Sequence, residues 1–230
     1  MAINIADNIN MIKQRIVFAA VKCGRDPDSI KLLAVTKTIP TEYIIKAIDA
    51  GITMLGENYV QEAKDKIAAI GSRAKWHMIG YLQTNKAKYA VTLFDYVHSV
   101  DRFELAQELD KRAGLINRKL NVLLEVNVSG EESKSGIATD AAPALIRQIS
   151  GLKNLAVRGL MTMAPYSHNP ENARPYFSAL RNLRDNISRQ QISGIQMKEL
   201  SMGMTDDFEV AIEEGATIVR IGRAIFGKRK

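Results

Sequence analysis

The sequence predicts an α/β protein built as a single closed (β/α)8 TIM-type barrel with an extra helix at its N-terminus. Three observations lead there. Short apolar runs alternate with longer amphipathic stretches from end to end, the pattern of a parallel sheet with helical crossovers. The runs number about eight, as a closed barrel requires, and 230 residues is near the lower size for that architecture. No Pro/Gly/Ser-rich linker divides the chain, so residues 1–230 are expected to form one domain, with 1–28 as the extra helix and lead-in.

Taken in order, Ala6–Val21 reads as the extra helix, because Ile9, Ile12 and Ile16 recur at three- and four-residue spacing. The apolar runs follow at Lys31–Thr36 (KLLAVT), Thr53–Leu55, Trp76–Ile79, Tyr96–Val100, Val122–Val128 (VLLEVNV), Leu155–Met163 (LAVRGLMTM), Glu199–Ser201 and Thr217–Ile221 (TIVRI). Stretches rich in good helix formers lie between them, at Thr41–Ala50, Tyr59–Ala69, Asp101–Ala113, Ala141–Ser150, Asn172–Gln190 and Asp206–Glu214. Several runs are short, which keeps an open doubly wound sheet as the alternative.

Composition excludes several classes. At 46% hydrophobic and 25% charged the chain is ordinary for a globular protein. No window of about 18 uncharged apolar residues occurs, so no membrane-spanning helix is expected. The N-terminus lacks the apolar core of a secretory signal, and the lone Cys23 offers neither an internal disulfide nor a cysteine-based metal site. A cytoplasmic protein is expected. Net charge is +7, from 32 Lys+Arg against 25 Asp+Glu. The basic clusters are small, however: Arg181, Arg184 and Arg189, and the C-terminal Gly-Lys-Arg-Lys. Aromatics are 6% and do not interleave with them, so no nucleic-acid platform is visible.

Barrel enzymes and binding proteins place their functional groups at the C-terminal ends of the strands. Unusual polar residues gather there: Lys37 ends the first run, and Gly56–Tyr59, Gly80–Lys86, Ser129–Gly136, Ser201–Met204 and Gly222–Ala224 follow later ones. Lys37 shares a strand face with Leu33 and Val35. If that face is interior, desolvation lowers the lysine pKa and frees the amine for a Schiff base with an aldehyde. On composition alone, a strand-end lysine leaving into solvent is the commoner case. Ser201, Gly203, Gly222 and Arg223 fall in the two loops where barrels often bind phosphate. Gly222–Lys228 fits G-x-x-x-x-G-K, but Arg229 stands where a P-loop has Ser/Thr and no helix follows. Arg220 interrupts an apolar run on the face of Ile218 and requires a partner, either a barrel carboxylate or a ligand atom. Glu125 and Asn127 share a face of their run. The rival reading is a metal barrel using His77, His98 and Glu125, although a satisfied structural histidine is the commoner case for each ring. Ser129–Gly136, polar and flanked by glycines, is a candidate lid.

The segments Ala34–Lys37, Gly56–Glu62, His77–Lys86 and Leu200–Phe208, with Val219–Gly222 and Ala224–Gly227, together resemble the pyridoxal phosphate homeostasis proteins. The resemblance spans almost the whole chain. It implies a fold-type III barrel similar to the N-terminal domain of alanine racemase, with pyridoxal 5′-phosphate (PLP) as cofactor, held on Lys37 as a Schiff base. It further implies that Arg220 meets the pyridine nitrogen, that Asn58 and His77 line the ring, and that Ser201, Gly203, Gly222 and Arg223 form the phosphate cup. Many family members carry a small hydroxyl residue at the position of Arg223, and Ser is commoner than Thr205. The implied role is a non-enzymatic carrier in vitamin B6 homeostasis. PLP and apo-forms of PLP enzymes are its expected partners, without nucleic acid or membrane, and the expected state is a monomer or weak dimer. A small PLP-dependent enzyme such as an amino-acid racemase, using Tyr59, His77 or Lys134 as acid/base groups, is the alternative.

Overall fold

The computed structural model describes residues 4–227, so Lys228, Arg229 and Lys230, which end the basic C-terminal cluster and the Gly222–Lys228 pattern, lie outside the described residues. Strands β1 (Lys31–Val35), β2 (Met54–Glu57), β3 (Lys75–Met78), β4 (Tyr96–Val100) and β5 (Leu120–Asn127) are followed by β6 (Ile137–Ala138), β7 (Leu155–Met161), β8 (Glu199–Ser201) and β9 (Ile218–Ile221). The helices are α1 (Ile5–Lys22), α2 (Thr41–Asp49), α3 (Val60–Ile70), α4 (Ala87–Leu93), α5 (Phe103–Leu115), α6 (Ala142–Ile149), α7 (Arg174–Arg189), α8 (Phe208–Glu213) and α9 (Arg223–Phe226). Every strand pairing is parallel. The order β4-β3-β2-β1-β9-β8-β7-β5, joined by β4–β5, closes the expected ring of eight. The two-residue β6 pairs only with β5, outside the ring.

Alternation along the strands separates two apolar layers. Leu33, Val35, Ile79, Leu123, Met161 and Ile218 pack together inside the barrel. Ala34, Leu55, Trp76, Met78, Val97, Leu124, Leu160 and Val219 join the larger cluster between strands and helices. The predicted inward face of the first strand, Leu33 and Val35, is therefore the interior one.

Strand β6 and helices α4 and α9 lie outside the sequence reading. Helix α4 was not expected, because seven residues are too few for an apolar period to register. The helices after the last two strands are also short, six residues in α8 and four in α9. Helix α1 covers what they leave bare. It packs on α2, α8 and α9 and buries Ile9, Ile12 and Ile16. Asn8 Nδ2 donates to Ile225 O at 2.9 Å, and Arg25 Nη1 in the lead-in donates to Ile212 O at 2.7 Å. Among the described residues no helix is long and apolar enough to cross a membrane.

The barrel wall carries one tight point. Val122 is opposite Val157 but Leu123 is opposite Gly159, so Arg158 is an extra residue in β7. Just beyond it Gly159 adopts φ +158°, and a Cβ there would lie 1.9 Å from Glu199 O of β8. Gly159→Ala must push the two backbones apart. We expect a fall of about 1–3 kcal/mol in urea stability with an unchanged m-value, and a wild-type midpoint would contradict this geometry.

Candidate functional site

At the end of β1 the chain turns sharply: Ile39 N–H donates to Thr36 O at 2.9 Å, and Thr38 sits at φ +62°. Lys37 occupies that turn, half-buried. Together with Val35, Asn58, Ile79, Gly80, Tyr81, Glu125, Ser135, Met163, Met204 and Arg220 it lines a cavity of about 140 Å³ at the C-terminal mouth of the barrel. Gly80 allows the loop after β3 to lie against Asn58, since a Cβ there would be 2.5 Å from Asn58 O. A larger cleft of about 630 Å³ adjoins it, sharing Asn58 and Tyr81, and is lined by Tyr59, Lys64, Lys86 and Tyr89 over α3 and α4. The smaller cavity is the candidate site because Lys37, Glu125 and Arg220 converge on it.

Arg220 is buried and its guanidinium is hydrogen-bonded inside the barrel. Nη1 donates to Ser201 Oγ at 2.7 Å and Nη2 to Thr162 O at 2.8 Å. Burial lowers its pKa to about 10, opposed by the charges of Glu125 and Asp207, so it stays cationic at neutral pH. Beneath it a chain of hydrogen bonds crosses the interior. Arginine only donates, so Ser201 Oγ accepts from Arg220, and it is also hydrogen-bonded to His98 Nδ1, 3.0 Å away. His98 Nε2 is in turn hydrogen-bonded to His77 Nδ1 at 2.8 Å. His77 stacks on Tyr96 with ring centroids 4.8 Å apart. Burial, then the charges of Lys75 and Lys31, lowers the His77 pKa to about 3. Burial, then His77 and Arg220, holds His98 well below the usual imidazole range. Both rings are therefore neutral.

Glu125 is the titratable carboxyl in the cavity. Burial, reinforced by Asp101 and opposed by Arg220, raises its pKa to about 7, and Glu125 Oε2 is buried without a hydrogen-bond partner.

Not all expected residues reach the cavity as the sequence suggested. Lys37, Asn58 and Arg220 line it. His77 does not, because Ile79 is the inward residue of its strand nearer the mouth, and His77 sits one layer below. Ser201 is also fully buried. Its hydroxyl, expected in the phosphate cup, is turned inward to Arg220 and His98. Gly203 has φ +91°, and a Cβ there would meet Ala211 Cβ at 2.5 Å; its carbonyl accepts from Arg220 N at 3.0 Å. Gly222 precedes α9 and Arg223 begins it. First-turn amides of a helix have no intrahelical partner, so backbone N–H groups remain at this rim. The Arg223 guanidinium is instead paired with Asp206 at the exposed surface. Of the acid/base candidates, Tyr59 is exposed outside the mouth, while Lys134 Nζ reaches Met163 O at 3.4 Å and Glu131 at 3.7 Å. The expected lid is tethered: Asn127 Nδ2 donates to Glu131 O and Lys134 O, and Asn127 Oδ1 accepts from Gly130 N–H. Among the described residues no three His, Cys, Asp or Glu gather to hold a metal, and His77 and His98 are bonded directly to each other. The Ser201 link between Arg220 and His98 was not legible in the sequence, since strand alternation gives facing direction but not layer.

The sequence matches the family model described as alanine racemase, N-terminal domain, over residues 3–230. It is 46% identical over 228 residues to a pyridoxal phosphate homeostasis protein of Aquifex aeolicus, covering 99% of each chain. Among solved structures, PipY of Synechococcus elongatus with PLP bound superposes with a TM-score of 0.83 at 34% identity, covering 97% of this chain and 100% of that one. An alanine racemase of Clostridium difficile shares the fold at 11% identity and a TM-score of 0.73, and 94% of this chain covers 56% of that one.

The neutral His77 ring has a measurable consequence. Its folded pKa of about 3 lies below the ordinary 6.5, so the unfolded chain binds the proton first. The ring's contribution to stability is whole above pH 6.5 and is lost as pH falls through the window to about 3. Relative to His77→Gln, the wild type should lose about 1.4 kcal/mol per pH unit there in urea unfolding. A constant difference between the two proteins would contradict a neutral, sequestered ring.

Proposed function

This chain belongs to the alanine racemase N-terminal domain family and, within it, stands with the pyridoxal phosphate homeostasis proteins; from that premise we propose that it binds pyridoxal 5′-phosphate at the barrel mouth, as a Schiff base on Lys37, and holds it in the cytoplasm without catalytic turnover. The observation that carries this reading is the convergence of Lys37 and a fully buried, charged Arg220 on one cavity. When bound, the cofactor supplies a reversible carbonyl–amine linkage, which suits storage and release to the apo-forms of PLP enzymes.

The residues present fit such a group. A guanidinium carries five N–H donors, so after Ser201 and Thr162 are served, donors remain for a ring nitrogen. An arginine that only donates keeps that nitrogen unprotonated and weakens the ring as an electron sink. Backbone amides of Gly203, Gly222 and Arg223 would receive the phosphate, with the Arg223 side chain held away by Asp206 and the Ser201 hydroxyl serving Arg220. Asn58 would flank the ring, and His77 would support it from below through His98 and Ser201.

The absence of turnover is argued from where acid/base groups lie: His77 is neutral and one layer down, Tyr59 is outside the mouth, and Lys134 is tied to Met163 and Glu131. One observation favours the second reading, a small PLP-dependent enzyme such as a racemase. Glu125 lines the cavity with a pKa near 7, poised for proton transfer at neutral pH.

The two readings separate on prolonged incubation of PLP-loaded protein with L-alanine. We expect no D-alanine beyond one equivalent, and Lys37→Ala should retain no pyridoxal phosphate through gel filtration. Sustained racemisation that disappears in Lys37→Ala and falls in Glu125→Gln would overturn the carrier reading.

A further inference from the structure

A second group of buried charges lies outside the barrel wall, between β1, β2 and α3, directly behind Lys37. Lys66 of α3 is buried, and its Nζ donates to three oxygens: Thr36 O at 2.5 Å, Glu57 Oε1 at 2.8 Å and Glu62 Oε1 at 2.6 Å. Glu57, fully buried at the end of β2, also accepts from Thr36 Oγ1 at 2.5 Å. Glu62 Oε1 accepts the Thr38 N–H at 2.5 Å.

The two backbone groups held here are not arbitrary. Thr36 C=O belongs to the peptide plane before Lys37, and Thr38 N–H to the plane after it. One ion pair on α3 thus grips both planes flanking the Lys37 Cα, and their relative rotation sets the direction in which that side chain leaves the backbone. The grip also explains a strained residue. Thr38 occupies the third position of the turn at φ +62°, where Gly or Asn is the unstrained choice and a β-branched residue is an outlier. Charged groups at a helix–sheet interface are costly to desolvate compared with an apolar contact. All of these meet at the turn of Lys37.

We propose that the Lys66–Glu62 pair is a positioning device for Lys37: it holds Thr38 left-handed and aims the Lys37 amine into the cavity of Arg220 and Glu125. This rests on the reading that Lys37 is the reactive group of the site. Glu62 is the residue to change, since its side chain is 25% exposed and its removal leaves the buried Lys66–Glu57 pair in place. Lys66 itself is a poor choice, because its loss strands Glu57 as an uncompensated buried charge.

The test has two arms on Glu62→Ala, Glu62→Gln and Glu62→Ala/Thr38→Gly. The first titrates each protein with pyridoxal 5′-phosphate. Misplacing a reacting group by about 1 Å costs up to 10²-fold, so Glu62→Ala should bind about tenfold more weakly. Glu62→Gln, whose amide oxygen accepts the Thr38 N–H, should stay close to wild type, and Thr38→Gly should restore binding because glycine holds φ +62° without a grip. The second arm acetylates the free protein with limiting acetic anhydride and reads Lys37 against exposed Lys64 by peptide mass. The ratio should change severalfold in Glu62→Ala and return in the double variant. Wild-type affinity and a wild-type acetylation ratio in Glu62→Ala would overturn the proposal, as would loss in both without recovery in the double variant. Should wild type take up no pyridoxal phosphate, the proposed function falls, and the acetylation arm still decides the positioning role.

Discussion

A guanidinium enclosed in a closed barrel has lost most of its water, and donors that do not face the cavity have to be answered from within the wall. Arg220 meets that constraint with the Ser201 hydroxyl and the Thr162 carbonyl, and the consequences spread from there. Ser201 turns inward and is lost to the mouth. His98 and His77 stay neutral first because desolvation forbids their charge, with Arg220 adding to the effect on His98 alone. Burial, against the pull of Arg220, raises the proton affinity of Glu125 in the cavity to the neutral range. A fixed, charged donor beneath an open cavity is the feature around which the site is organised.

The barrel supplies that feature by geometry. Eight strands give an interior wide enough for side chains alone, so inward residues stack in layers and the upper layer becomes the floor of the mouth. Lys37, in the turn after β1, and Arg220, on the neighbouring strand β9, then line the same cavity. Covering the outside of such a ring with helices of six and four residues after β8 and β9 would leave apolar strand faces wet, and α1 closes that gap from the other end of the chain.

The fold was legible because two periods do different work. Short apolar runs such as KLLAVT and VLLEVNV marked strands, period-two alternation grouped Lys37 with Leu33 and Val35 on one face, and Ile9, Ile12 and Ile16 marked α1 by their helical spacing. Helix α4 escaped since two turns carry too few apolar residues to show a period. Within the site, Lys37, Asn58 and Arg220 reach the cavity as expected. The placements of Ser201 and His77 were missed for one reason: alternation says which face a residue takes, not how deep it lies, and depth is set by strand stagger around the ring. The Arg223 side chain follows Asp206, a neighbour in space that no local pattern links to it. The grip of Lys66 on Thr36 and Thr38 joins three segments, and a lysine four residues after a glutamate reads from sequence as an ordinary exposed helix pair.

The central claim is that Lys37 is the point of attachment for pyridoxal 5′-phosphate in this barrel. The most direct measurement is borohydride reduction of the purified protein after addition of that compound, followed by peptide mass mapping. A yellow protein giving one reduced adduct, on Lys37, is the result the account predicts. No visible band, or adducts spread over surface lysines, would contradict it.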